Sequence, residues 1–305
     1  MVATRAFVSA TWMACLFSLC FSCVASHPSV LHAVEPHHHS LHAPLEKLPT
    51  HWTIGGSAVV ERPFVRLTPS SPDHSGWLWN EHPLEAIHWE VEFRTKISSE
   101  SRLGGEGLCM WVLSGDHDPN ICNNEEAFSG PLFGLIRSFE GFGMCIDVYD
   151  NDGHRNNPSV FILENPTEIS LPFNPSNDYE YNMVRTSPDP WDLDDSLDFR
   201  YISHWCVADI RNSQQEVKFL VKFIHKNVYV YIDSLDGMGY KFCLVVKLEH
   251  TYVGYHLAFT AATGQVADNH DILEVSMRYL VESTEQEVTL AESKAIHESA
   301  FHGEL

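Results

Sequence analysis

Positive charge is scarce in this 305-residue chain: Lys and Arg number 19 against 41 Asp and Glu, for a formal net charge of −22 with His neutral. Such a balance argues against nucleic acid and anionic membranes as partners, since both require a basic face. It suits a protein that gathers cations. Beyond residue 26 no C-x-x-C occurs, which removes zinc-ribbon and thioredoxin-like chemistry from the rest of the chain. No N-x-S/T acceptor with x other than Pro occurs, so the chain is expected to carry no N-glycan of its own. Beyond residue 24 no apolar run approaches the ~20 residues that cross a bilayer. Sustained 3.6-residue periodicity and internal repeats are missing as well, and with them long-helix and solenoid architectures.

What is present begins with MVATRAFVSATWMACLFSLCFSCVAS: one basic residue, Arg5, an apolar stretch from Phe7 to Val24, then small Ala25 and Ser26. Residues 1–26 read as a secretory signal peptide, and the mature product is expected to be soluble in the secretory lumen. Cys15, Cys20 and Cys23 leave with it, so Cys109, Cys122, Cys145, Cys206 and Cys243 remain. An odd number in an oxidising compartment leaves at least one thiol free or paired between chains. Residues 27–49 carry six histidines, His27, His32, His37, His38, His39 and His42. A zinc or nickel tract is one reading of them. Lacking a periodic apolar face, the segment reads instead as a flexible arm.

Strand patterns follow. HWEVEFRTKIS (88–98) alternates strictly, LCMWVL (108–113) is nearly all apolar, and EVKFLVKFIHKNVYVYIDSL (216–235) reads as a hairpin turning near His225–Lys226–Asn227. Short β-branched and aromatic runs separated by Gly, Pro, Asn and Asp predict an all-β, two-sheet sandwich over about 50–280. The Pro- and Asp-rich stretch 179–203 reads as an insertion loop, and 281–305 as a polar tail.

At 142–160, FGMCIDVYDNDGHRNNPSV leaves an apolar strand and crowds oxygen-bearing side chains together. Alternation places Asp147, Tyr149 and Asn151 on one side of the departing chain. Two side-chain oxygens and the Tyr149 carbonyl would then suit calcium, with Asp178 supplying a further ligand. A solvated Asx-rich turn is the competing reading.

Around this loop, GSAVV (56–60), FVRLTP (64–69), LWN (78–80), WEVEF (89–93), IDVYDNDGHRNNPSV (146–160) and AATGQVADNHDIL (261–273) resemble, in order, the leguminous-type lectins of the early secretory pathway. The resemblance covers 50–280 and implies a concanavalin-like jelly-roll sandwich. It implies Ca2+ held by Asp147, Tyr149 (through its carbonyl), Asn151 and Asp178, with Asp150 and Asp152 near a second ion. It implies high-mannose N-linked glycans of glycoprotein cargo as partners, met by Asn151 and the Gly264–Gln265–Val266 loop. It also implies a Cys206–Cys243 disulfide across neighbouring strands. Cys109 and Cys145, at strand positions normally apolar, read as buried free thiols.

Three positions depart from the family pattern. Glu106 stands where an aspartate is expected, Trp77 where a serine is expected, and Pro175 where a histidine is expected. Glu106 keeps the charge but adds a methylene; Trp77 is read as a ring that stacks on a sugar or packs at the rim. A pH response would then fall to the calcium ligands or to other histidines such as His270. Family receptors continue into a stalk and membrane helix that this sequence lacks, and its final HGEL resembles an ER-retrieval tetrapeptide. The expectation is therefore a calcium-dependent lectin of the ER lumen or early secretory pathway. A lectin-fold module that binds protein instead is the alternative. A jelly-roll glycosidase, with Glu90 and Glu92 as its carboxylates, is the reading set aside.

Overall fold

The computed structural model describes residues 30–119, 128–150, 157–166 and 205–283. In chain order its strands are β1 (Val30–Val34), β2 (Leu41–His42), β3 (Trp52–Gly56), β4 (Val59–Glu61), β5 (Phe64–Thr68), β6 (His74–Pro83), β7 (Trp89–Ser98) and β8 (Gly107–Leu113). Then come β9 (Gly141–Asp147), β10 (Ser159–Asn165), β11 (Trp205–Val207), β12 (Val217–Ile224), β13 (Asn227–Asp233), β14 (Lys241–Lys247), β15 (His256–Thr263) and β16 (Asn269–Ser283). One sheet runs β14-β13-β12-β7-β16-β5-β4, with β1 and β2 also on β16; the other runs β11-β10-β9-β8-β15-β6-β3. The expected all-β sandwich of antiparallel strands is what forms.

Strict alternation in β7 sends Trp89, Val91, Phe93 and Ile97 into the inter-sheet core and leaves Glu92, Arg94 and Lys96 only partly covered on the other face. The β12–β13 hairpin turns at His225 and Lys226, both with positive φ, which is the geometry that matches strand twist. β8 behaves differently because both its faces are covered. Leu108, Met110 and Val112 join the inter-sheet core, while Cys109, Trp111 and Leu113 enter a second apolar cluster with Phe128, Leu132, Phe133, Leu135 and Phe139. The segment 128–139 thus caps the outer face of the β8/β9 sheet, and a strand buried on both faces reads as a continuous apolar run.

Two expectations are corrected and a third is met. Cys109 and Cys145 are bonded to each other, not free; they face one another in register on β8 and β9, with Cα atoms 4.1 Å apart. The Cys206–Cys243 bridge forms as expected and joins β11 of one sheet to β14 of the other. Residues 30–49, read as an arm, lie against the sandwich. Leu41 pairs with Val275, Leu41 and Leu45 enter the core, and His39 is 0% exposed. The signal peptide, the 179–203 insertion and the tail beyond 283 lie outside the described residues.

Trp111 has room for its ring because Gly143 is its direct cross-strand partner. A Cβ at Gly143 would come 2.3 Å from the indole, and Phe139 closes the far side edge-on. Gly143→Ala is expected to lose about 1–3 kcal/mol of stability through overpacking, read from urea denaturation. A change under about 0.5 kcal/mol, the level of a neutral surface substitution, would contradict this packing.

Candidate functional site

β9 delivers the chain to one end of the sandwich at Asp147, flanked by Gly107 of β8 and Ser159 of β10. Its carboxylate is only 5% exposed and accepts a hydrogen bond from Tyr149 N at 3.0 Å. The next residue, Val148, is tied to the neighbouring loop by Val148 N donating to Glu106 O at 2.8 Å. Asn157, returning to β10, donates from Nδ2 to the carbonyls of Asp147 (3.3 Å) and Tyr149 (3.0 Å). Its Oδ1 is shielded from solvent and has no hydrogen-bond partner. An amide oxygen shielded from solvent and left without a partner, on the residue that bridges the Asp147 and Tyr149 carbonyls, is the kind of oxygen donor a hard cation takes. Asn151 and Asp178, the other two expected ligands, lie outside the described residues, as do Asp152 and Pro175.

A second loop meets this one. Gly264 sits so close to Glu106 that a Cβ there would lie 2.6 Å from the carboxylate Oε1. Asp73 N donates to Gly264 O at 3.2 Å, and the exposed Gln265 reaches Asp73 Oδ1 at 3.5 Å. Glu106, Gly264, Gln265 and Val266 are therefore gathered at the Asp147 end. Asp73 joins them unforeseen; its signal was the turn-forming SSPDH before β6.

Trp77 does not join them. It is 4% exposed, packed against Phe128 in the second apolar cluster with its ring edge over Gly55. A covered indole has no face to offer a sugar, so this expectation is corrected.

Sequence reasoning also missed what fixes the loops. Arg211, from DIRN after β11, makes two charge-assisted bonds of 2.8 Å to Asp268, which is 0% exposed. The same guanidinium donates to Ser99 Oγ, Ser101 O and Leu103 O, and Asp268 accepts from Gly105 N at 2.8 Å. Burial raises the Asp268 pKa, but the bonds from Arg211 and Gly105 outweigh it and hold the carboxyl below its ordinary value. His270 beneath is fully buried, with Nδ1 2.7 Å from Thr68 Oγ1. Burial lowers its pKa to about 4. Glu90 and Glu92 are structural. Glu90, 6% exposed, pairs with Lys222 (2.9 Å) and Arg278 (2.7 Å), and Glu92 lies 3.8 Å from Lys218.

Residues 32–287 match the model of the legume-like lectin family. The chain belongs to that family. It is thereby a relative of lectins. It is 26% identical over 225 residues to protein ERGIC-53 of Homo sapiens, covering 73% of this chain and 38% of the relative. It is 26% identical over 242 residues to human vesicular integral-membrane protein VIP36, covering 78% and 60%. The chain therefore spans less than two thirds of these curated relatives' length. The crystal structure of the VIP36 exoplasmic/lumenal domain in a Ca2+/Man3GlcNAc-bound form superposes with a TM-score of 0.65 at 25% identity, covering 85% of this chain and 95% of that one. Among the described residues no helix is long and apolar enough to cross a membrane.

Arg211→Ala leaves a buried carboxylate unpaired and is expected to cost about 3–5 kcal/mol. Arg211→Ala/Asp268→Ala is expected to cost less than the two single changes summed, as a double-mutant cycle would show. Because the folded Asp268 pKa lies below the ordinary 3.8, its contribution is present above pH 3.8 and lost as pH falls through the folded value. Asp268→Asn should accordingly flatten the acid limb of the stability curve below pH 3.8, measured by denaturant titration at stepped pH.

Proposed function

We propose that the protein is a calcium-dependent lectin that binds high-mannose N-glycans of glycoproteins in the early secretory pathway. One observation carries the reading: Asp147, the Tyr149 carbonyl, Glu106 and Gly264–Val266, distant in sequence, meet at one end of a lectin-family sandwich. Asp147, Tyr149, Asn151 and Asp178 would hold Ca2+, which when bound neutralises the carboxylates and fixes their orientation. Glu106, Asn151 and the 264–266 main chain would then meet sugar hydroxyls, which both donate and accept hydrogen bonds and need acceptors and N–H groups at fixed positions. A solved relative bound to Ca2+ and Man3GlcNAc supports the same ligand class.

The Glu106 carboxylate lies against Gly264, in the space a shorter aspartate would leave open. That placement favours a glycan preference shifted from the family's mannose sites. Calorimetric titration with calcium, then with mannobiose, tests the proposal. Saccharide heat is expected only in the calcium-loaded protein, and Asp147→Asn should weaken calcium at least tenfold, about 1.4 kcal/mol. A folded protein that binds calcium but no member of a glycan array would favour the protein-binding alternative. For the lumenal location, a secreted reporter ending in HGEL should be held in the cell, and its full secretion would end the retrieval reading.

A further inference from the structure

The other end of the sandwich, where β6 and β16 finish and β15 begins, is rich in imidazoles. His38 stacks obliquely on His39 at 4.2 Å and on His82 at 4.6 Å between ring centroids. His51 lies 6.2 Å from His82, and His256 stacks on Trp79 at 5.0 Å. His39 is the buried member, with both ring nitrogens engaged: Nδ1 to Asn80 Oδ1 at 2.9 Å and Nε2 to Tyr279 Oη at 2.7 Å.

These contacts fix the protonation state. Asn80 spends its NH2 on His38 O at 2.8 Å, so its Oδ1 faces His39 as an acceptor and Nδ1 must be the donor. Tyr279 Oη already accepts from Glu85 N at 3.1 Å, so its hydroxyl hydrogen is the one to give Nε2. The ring is fully satisfied as neutral imidazole. A second proton, on Nε2, would face an oxygen already receiving one N–H and would displace the tyrosine hydrogen.

The surroundings add no compensation at His39. Burial lowers its pKa most, and the imidazoles His38, His82 and His256 lower it further, against a rise from Asn80, to about 4. His38 is lowered by burial and by His82, His51 and His37, with Glu85 opposing. His51 is lowered by burial and by His82, with Glu81 opposing. One contact works the other way: His42, exposed on β2, lies 3.1 Å from Glu274 of β16 and would pair better when charged. Exposed pairs of that kind contribute little.

We propose that residues 37–42 form a proton-released strap, sealed onto the histidine-rich end while the imidazoles are neutral and detached when they charge. The sign follows from linkage: a His whose folded pKa is depressed leaves the docked state unaffected above pH 6.5 and weakens it progressively from 6.5 toward the folded value. Detachment would uncover Asn80 and Tyr279 and free the stretch of β16 that pairs with β2 through Glu274 and Val275. A strand edge so freed is a template for another strand.

Hydrogen exchange on the full chain, followed by mass spectrometry and corrected for intrinsic rates, tests the strap at pH 7.2 and 5.0. Amides of residues 40–45 are expected to open on the order of tenfold more at pH 5.0, while β8 keeps its protection. His38→Asn/His82→Asn, which leaves His39 and its partners intact, should reduce that pH response. A larger reduction is expected in His39→Gln, provided it folds. Equal strap protection at the two pH values, loss of strap and β8 protection in step, or an unchanged response in His38→Asn/His82→Asn would each overturn the proposal.

Discussion

The loops at the Asp147 end depend on the buried contact between Arg211 and Asp268. An ionised carboxylate with no solvent exposure is tolerable only if its lone pairs are filled. Here two guanidinium bonds and the Gly105 N–H fill them. The same Nη2 that reaches Asp268 also lies within hydrogen-bond distance of Ser99 Oγ, Ser101 O and Leu103 O. Three stretches of chain with no local reason to meet are thus held at hydrogen-bond precision. Glu106 follows directly on Gly105, and Val266 lies two residues before Asp268. An apolar pair of equal volume could match the stability, but it would not dictate where Glu106 and the 264–266 main chain stand.

The sheet that carries these loops is the one buried on both faces. β8, β9 and β15 contribute to the inter-sheet core on one side and to the Trp111–Phe139 cluster on the other. Within it, Trp111 Nε1 is satisfied by Thr260 Oγ1 at 2.8 Å, and Cys109–Cys145 joins the two strands that end at Asp147 and begin at Gly107. Binding groups are held best when the elements beneath them cannot repack. The apolar run LCMWVL, which by periodicity alone says only that a strand is buried, is in this sense part of the site.

Local pattern made the sandwich legible: the alternation of WEVEF set which face of β7 is inner, and the HKN turn set the β12–β13 hairpin. Family motifs pointed to the Asp147 and Gly264 loops. What failed was whatever depends on pairing across sequence distance. Cys109 and Cys145 are bonded because β8 and β9 align in one register, which neither strand encodes alone. Cys206–Cys243 formed as the family motif implied, and only its span between two sheets, from edge strand β11 to edge strand β14, was hidden in the topology. Trp77 was misread because the covering segment, 128–139, is remote from it. The histidine tract was misread for the same reason, since the partners that make His39 a core residue are Asn80 and Tyr279.

With calcium held as proposed at one end and the strap proposed at the other, the two ends of the molecule would respond to acid through different chemistry and in the same direction. Protons compete with a divalent cation for carboxylates such as Asp147, so metal affinity falls with pH. At the opposite end protons enter imidazoles whose burial and neighbours favour the neutral form. The strongly negative chain softens this second effect over long distances, because added positive charge is welcome to the whole. It does not soften it at His39, where the groups felt most closely are other imidazoles and the hydrogen bonds are already complete. Local bonding outweighs net charge there, since exposed charges farther apart than about 8 Å are largely screened at physiological ionic strength. On these proposals acid would loosen both ends of the fold while reducing its overall charge repulsion, and the Arg211–Asp268 pair, whose carboxyl is held below its ordinary pKa, would keep the loops at the Asp147 end assembled after a bound metal began to leave.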